Sequence, residues 1–250
     1  ESTSLKKLDA WLENDGAQGK NLFVFLDPNS AALPNLEAFL SEWGIVMEDA
    51  TVYETNFNRI YNYSPYYSIV DFVNTEIYED TSAYLLMPNA RVMDTAYTER
   101  DSRIVEVLLK FGSTAKALPN DAAEDFDIES AETYAFPALI KSTLQKSSGN
   151  ANATGSALLE SHVIVSSSAM SCESSLLSGS TFVNGKYYIS LLNSLLGRES
   201  NFSITAKTLD TTTLTMTNFQ ILSIGAVFAI IIPLALLVVG VVVWLRRRHK

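Results

Sequence analysis

The stretch NLFVFLDPNSAALPNLEAFLSEWGI, residues 21–45, decides the fold class that the sequence predicts. Its first part, Leu22 to Leu26, is a continuous apolar run, which favours a strand covered on both faces, as in a parallel sheet. Its second part, Pro34 to Trp43, repeats apolar residues at the i, i+3, i+4 and i+7 spacing of a helix. A strand that passes through a short turn into a helix is typical of α/β layered folds.

Asp27 and Pro28 connect this strand to this helix, and two interpretations of Asp27 are open. Ligands of open α/β sheets bind beyond the carboxyl ends of strands, so Asp27 and Asn29 are candidates for the lip of a ligand or partner site. An aspartate before a proline also opens a turn by accepting backbone N–H groups. The turn is the preferred interpretation. It predicts a mild effect of Asp27→Asn, whereas Phe25→Ala and Leu40→Ala are predicted to remove core packing.

The segments that follow continue the alternation of helices and strands. Apolar spacing predicts amphipathic helices at residues 4–14 and 184–199 and strands at 83–90, 103–111 and 162–170. The remaining segments are predicted to be an irregular excursion at 55–80, an acidic loop at 118–133 and a low-complexity surface loop at 144–160. Residues 1–210 are therefore predicted to form an α/β domain with a mostly parallel sheet. Because the chain opens at Glu1 without an initiator methionine, we expect it to be a fragment whose N-terminal part is missing.

Residues 221–245 form a run of 25 residues without a charge. Roughly 20 apolar residues cross the hydrocarbon core as a helix, so this segment is predicted to span a membrane. The basic residues Arg246, Arg247 and Arg248 follow directly and are predicted to stay in the cytoplasm. The domain then lies outside the cytoplasm, joined by a linker at 211–220. The small residues Gly225, Ala226 and Ala229 would allow a second helix to approach closely.

Composition narrows the classes of function. Lysine and arginine number 18 against 28 aspartate and glutamate residues, for a net charge of −10, and this balance argues against nucleic-acid binding. One cysteine excludes an internal disulfide, and two histidines leave little for a metal centre. We therefore expect no metal and no cofactor.

Nucleophiles cluster after the strand at 162–170, in SSSAMSCESS at residues 166–175. A nucleophile elbow needs flanking glycines, and none flank Ser168 or Cys172. His162 begins the same strand, which is expected to place it at the opposite end from Ser168. Ser168 instead joins Asp27 and Asn29 as a third candidate for the lip. A cryptic cell-surface hydrolase that uses Ser168 or Cys172 stays open as an alternative, as does a structural surface protein.

Tyrosines cluster within the excursion, and two interpretations of them are open. Aromatic side chains form contact surfaces for proteins or carbohydrates, and they also pack beneath loops. The tyrosines concerned are Tyr61, Tyr63, Tyr66 and Tyr67.

The ordered series of residues 21–45, NGKYYISLLNSLLGRES at 184–200 and ITAKTLDTTTLTMT at 204–217 resembles the auxiliary component of gliding-motility-type ABC transporters, the Gldg-like family. The resemblance covers both ends of the chain and is loose over about 55–160. It implies an extracytoplasmic domain with a flavodoxin-like or amidotransferase-like fold that lacks catalytic residues. It also implies two partners, an ABC permease and a separate ATPase subunit.

Overall fold

A computed structural model gives the structure of residues 2–80, 82–147, 158–198 and 216–248. The predicted surface loop (in part), the first half of the predicted linker and the last two residues of the basic tail lie outside the described residues. The helices are α1 (Ser2–Glu13), α2 (Pro34–Glu42), α3 (Ser174–Leu177), α4 (Asn184–Leu195) and α5 (Asn218–Arg248). The strands are β1 (Asn21–Phe25), β2 (Ile45–Glu54), β3 (Ile60–Tyr61), β4 (Ser64–Phe72), β5 (Leu85–Pro88), β6 (Arg91–Thr95), β7 (Glu99–Arg100), β8 (Arg103–Lys110), β9 (Ala115–Pro119), β10 (Pro137–Ser147) and β11 (Leu158–Ser166).

The strands form a large mixed sheet and a small antiparallel one. The large sheet has eight strands in the order β1-β11-β10-β8-β4-β3, with β5 beside β4 and β7 beside β8. It curls into a half-barrel. Strands β1 and β11 run parallel, and the other pairs of this sheet are antiparallel. The small sheet has the order β6-β2-β9.

The predicted flavodoxin-like or amidotransferase-like fold with a mostly parallel sheet is wrong. Strand β1 does pair in parallel with β11, as the opening stretch predicted, but the rest of the large sheet is antiparallel. The reason is the position of two strands: β10 lies between β8 and β11 and is antiparallel to both, and β4 is antiparallel to β8. Parallel neighbours need a crossover connection, which antiparallel neighbours do not need.

The strands that were not predicted are β3, β4, β6, β7, β9 and β10. Two of them, β4 and β10, are long strands in the interior of the large sheet, and neither shows a clear apolar pattern. Strand β10 carries polar residues in the interior of the sheet, where Ser142 and Thr143 are buried. Strand β4 lies in the tyrosine-rich segment that was predicted to be irregular, although tyrosine, isoleucine and valine all favour strands. With both strands omitted, the remaining elements resemble an α/β alternation.

The core occupies both faces of the large sheet. In β11, Val163 and Val165 pack in a cluster with Leu40 and Trp43 of the α2 region. Ile164, between them, packs on the other side in a cluster with residues of α4. Alternate residues of a strand point to opposite faces, so the apolar run in β11 is covered on both faces. Such coverage was predicted for residues 22–26.

Strand β1 differs from this prediction because it lies at the edge of the sheet. Leu22 and Val24 pack toward the α1 and α2 side, and Phe23 packs toward α4. Phe25 is 39% exposed and contacts Tyr188 of α4 with its ring edge. Phe25 is therefore a surface residue of an apolar groove and not a core residue.

One helix in the described part of the chain, α5, is long and apolar enough to span a membrane. It has 31 residues and includes the predicted span. A wider π-helical turn occupies Val227–Ile231, just before Pro233. Proline lacks the N–H that would bond to the carbonyl of Ala229 and its ring clashes with that carbonyl, which accounts for a widened turn at this place.

Candidate functional site

The turn after β1 has the geometry that the Asp-Pro sequence predicts. The Asp27 carboxylate accepts hydrogen bonds from the backbone N–H of Asn29 at 2.8 Å and from its side-chain amide at 3.2 Å. The Ser30 hydroxyl donates to the Asp27 carbonyl at 2.7 Å. Asp27 thus fixes the direction in which Asn29 leaves the strand.

Asn29 lies on the rim of the β1-tip cleft, an open cavity of about 530 Å3. The cleft begins at the carboxyl end of β1 and extends to the loop that follows β9. A cavity of this size is within the range that small-molecule sites occupy. The residues that line it are Pro28, Asn29, Thr51, Tyr66, Asn89, Leu118, Pro119, Asn120, Ala122, Ala123, Glu124 and Phe126.

A hydrogen-bond network holds one wall of the cleft. The Asn120 amide donates to the Pro28 carbonyl at 2.9 Å and to the Asp49 carboxylate at 2.8 Å. The Thr51 hydroxyl donates to the Asn120 side-chain oxygen at 2.8 Å. These contacts tie the strand β2 and the loop after β9 to the turn after β1, so the wall is built by residues far apart in the sequence.

Asn89 lines the cleft from an uncommon backbone conformation, with φ at +43°. Its side-chain amide donates to the Met170 sulfur at 3.0 Å, and a thioether is a weak acceptor. Its backbone N–H donates to the Tyr66 carbonyl at 2.8 Å, which places Asn89 next to a tyrosine that also lines the cleft. Asparagine tolerates left-handed backbone better than other residues with a Cβ, which explains the residue type at this turn.

The structure does not bring Ser168 to the lip with Asp27 and Asn29. Ser168 is fully buried, and its hydroxyl donates to the Pro88 carbonyl, next to Asn89. Its oxygen also accepts the Ser171 backbone N–H at 3.2 Å. Ser168 therefore caps the short 3-10 helix Ala169–Cys172, and its bond to Pro88 holds the backbone beside Asn89.

The hydrolase alternative needs a nucleophile beside a base, and the described residues do not provide that pair. His162 lies at the opposite end of β11 from Ser168, about 20 Å away at the rise of an extended strand. Its Nδ1 pairs with the Thr143 hydroxyl at 3.0 Å. Burial raises the pKa of the Cys172 thiol, so the thiolate that would act as nucleophile is disfavoured.

Cys172 lies in the apolar groove between β1 and α4, together with Phe23, Phe25 and Tyr188. The hydroxyl groups of Tyr188 and Ser171 share a hydrogen bond of 2.7 Å, in which either group can be the donor. In the described part of the chain, no group of three His, Cys, Asp or Glu side chains is placed to hold a metal ion.

The pH dependence of the stability tests whether His162 is buried at this end of β11. Burial, and then the nearby Lys141 ammonium, lower the pKa of His162 below its usual value. As pH falls through about 6.5, the unfolded chain therefore binds a proton that the folded chain does not, and stability falls. His162→Gln is expected to lose less stability between pH 7 and pH 5 than the native chain, measured by thermal unfolding of the full chain.

His249→Gln, which removes the other histidine of the chain, is the control for the loss of a histidine outside β11. An unchanged pH dependence in His162→Gln would show that this histidine titrates normally in the folded state.

The second candidate feature is the helix joint, formed by the first turn of α5 and the hairpin between β3 and β4. Asn218 is 1% exposed, its amide donates to the Ile60 carbonyl at 3.2 Å, and its side-chain oxygen accepts the Tyr63 N–H at 3.3 Å. Asn62 and Tyr63 form the hairpin turn with φ at +55° and +57°. Thr217 caps the helix in a reciprocal pair with Gln220.

Sequence reasoning missed most of the cleft and most of the joint, of which it noticed only Tyr63, as part of the tyrosine cluster. Asn29 was found because it belongs to the Asp-Pro turn after a predicted strand. Tyr66 was noticed only as part of a tyrosine cluster, and Asn89 and Asn120 each follow a proline at the end of a strand. A proline followed by an asparagine at the end of a strand is the sequence pattern that could have identified Asn89 and Asn120. For the joint, the Thr-x-x-Gln cap before the apolar run was the available signal.

The fold and these two features define a class: a curled mixed-sheet domain, with a polar cleft at the tip of its parallel edge strand, joined to a helix of membrane-spanning length. No protein-family model and no curated protein matches the chain. Among solved structures, the chain is similar to the mmIFT52 N-terminal domain, with a TM-score of 0.51 and 15% identity over 82% of this chain and 74% of that chain. At this identity the likeness shows the fold alone, and that fold replaces the flavodoxin-like one.

Proposed function

We propose that the chain is a membrane-anchored, non-catalytic accessory subunit of an ABC transport system. Its domain lies outside the cytoplasm and binds cargo or a partner protein, while a separate subunit hydrolyses ATP beside a permease. The transport part of this proposal rests on the resemblance of residues 21–45 and 184–217 to the Gldg-like family. The membrane-anchoring part of the proposal rests on α5, and the binding part rests on the folded domain.

The observation that carries the proposal is the helix joint. A single helix with a short basic end cannot conduct a solute, so α5 must act through contacts. The buried Asn218 bonds the first turn of α5 to the hairpin of the domain, and the Thr217–Gln220 cap starts the helix at that point. A helix attached in this way supports a role in which movement of a neighbouring permease is passed to the domain.

The charges at the end of α5 support the proposed orientation of the chain. Arg246, Arg247 and Arg248 form its last turn, and basic residues beside a span remain in the cytoplasm. A cysteine added after Lys250, in a Cys172→Ala chain, is therefore expected to react with an impermeant maleimide only after the cells are lysed. Labelling of that cysteine in intact cells would reverse the proposed orientation.

A photo-crosslinking amino acid at Ala226 tests the proposed contact with a permease. Gly225, Ala226 and Ala229 lie on α5, and no described atom approaches within 4 Å of the space beside Gly225. A crosslink from Ala226 to a protein with several membrane spans is expected. Ile224 lies about 200° around the helix from Ala226 and is the control position, which should crosslink mainly to lipid.

Crosslinks from Ala226 to lipid alone, at the same level as from Ile224, would contradict a permease contact through this face of the helix.

A further inference from the structure

We propose that the β1-tip cleft binds a neutral, polyhydroxylated ligand, of which an oligosaccharide is the expected form. This inference names the chemical class of the ligand and rests on the proposed function for the exposure of the cleft outside the cytoplasm. Three observations carry it: the charge of the lining, the hydrogen-bonding groups of the walls and the aromatic rings.

The charge of the lining excludes an anionic ligand. Glu124 is the charged side chain among the described lining residues, and the same loop carries Asp121 and Asp125. Arg91, a buried cation that lies beside Asp49, is already engaged. Its Nε donates to the Glu48 carbonyl at 2.9 Å, and its guanidinium lies 3.8 Å from the Asp49 carboxylate.

The walls keep uncharged hydrogen-bonding groups for a ligand. The Asn120 amide hydrogens and the Thr51 hydroxyl hydrogen are already donated within the wall, so these two residues offer a ligand acceptors only. Asn29 and Asn89 also line the cleft, and a side-chain amide presents a donor and an acceptor in one plane, which matches two neighbouring hydroxyl groups of a sugar. The Asn89 amide donates to the Met170 sulfur, which is a weak acceptor, so a hydroxyl oxygen from a ligand would be a better acceptor for it.

Two aromatic rings that line the cleft are the third observation. Tyr66 and Phe126 both line the cleft, and Phe126 is 40% exposed. Tyr53 holds the Tyr66 ring in an edge contact, with 5.6 Å between the ring centroids. An aromatic face buries the apolar C–H surface of a sugar ring while the hydroxyl groups remain free for the amides. Neither an anion nor a purely apolar ligand would use both sets of groups.

The test measures binding of soluble glycans to the full chain in lipid nanodiscs, which avoids sugar-based detergents. The probes are a panel of neutral oligosaccharides that includes maltohexaose, cellohexaose and chitohexaose, with hexagalacturonate as the anionic control and trilysine as the cationic control. At least one neutral oligosaccharide is expected to bind, as measured by isothermal titration calorimetry, and hexagalacturonate is expected not to bind.

Phe126→Ala is expected to weaken that binding about tenfold, through loss of an aromatic contact worth about 1.4 kcal/mol. Phe57→Ala is the matched control, because Phe57 is 39% exposed and contacts the Tyr63 ring at a tilted angle, outside the cleft lining. Both rings are on the surface, so both variants should fold. Asn29→Ala, at an exposed position on the rim, gives a second variant that should weaken binding.

Failure of every neutral oligosaccharide to bind overturns the proposal, and so does equal weakening by Phe126→Ala and Phe57→Ala. Tighter binding of trilysine would assign the cleft to a cationic ligand and also overturn it. Glycan binding without association with a permease would leave this inference standing and remove the proposed function.

Discussion

Asn184→Ala is expected to lower the free energy of unfolding by about 3–6 kcal/mol, which is a large share of the stability of a domain. Asn184 is the first residue of α4 and is 0% exposed. Its amide donates to the Leu86 carbonyl at 2.8 Å and to the Ser171 carbonyl at 3.0 Å, and its oxygen accepts the Leu86 N–H at 3.1 Å. Alanine leaves these three buried backbone groups without a partner, at about 1–3 kcal/mol each before relaxation.

Urea unfolding of the full chain measures this effect. Asn193→Ala removes an amide from the same helix at a partly exposed position and is the control, with an expected change below about 1 kcal/mol. If Asn184→Ala is no more destabilising than Asn193→Ala, then α4 is not fixed to β5 through this amide.

Leu40→Ala is expected to cost about 2–5 kcal/mol, as for other buried leucines. Leu40 is 0% exposed and packs in the cluster that includes Trp43, Val163 and Val165. Phe25→Ala, which the sequence placed in the core, is now expected to cost only about 1 kcal/mol, because the ring is part-exposed at the sheet edge. Thermal or urea unfolding of the two variants compares them directly.

Similar large losses for both variants would mean that the edge of β1 is covered, and that the groove beside α4 is part of the core. A loss below about 1 kcal/mol for Leu40→Ala would contradict the position of α2 on the sheet.

Local patterns in the sequence predicted α1, α2, α4, α5 and several strands, and they failed to predict how the strands pair. The spacing in residues 34–43 predicted α2, and the apolar runs predicted β1 and β11. Whether two strands run parallel depends on the strands between them, and β10 has too many polar residues to be recognised. The omission of β4 and β10 therefore changed the fold class.

The cleft shows the same limit at the level of single residues. Asp27 and Asn29 were found because the turn chemistry is local, and the observed hydrogen bonds agree with it. Asn89 and Asn120 come to the same cavity from 60 and more residues away, and only the pairing of strands brings them there. Ser168, which also follows a strand, is fully buried and donates to the Pro88 carbonyl, a contact that the local sequence does not reveal.

The composition of the complex purified from native membranes in a mild, non-denaturing detergent tests the central claim most directly. We expect the chain to be recovered with a membrane protein of several spans and with a separate ATPase. We also expect that Ala226→Leu and Ala229→Leu reduce this recovery while the unfolding of the domain is unchanged. Recovery of the native chain alone, under conditions that keep other ABC complexes intact, would contradict the accessory-subunit proposal.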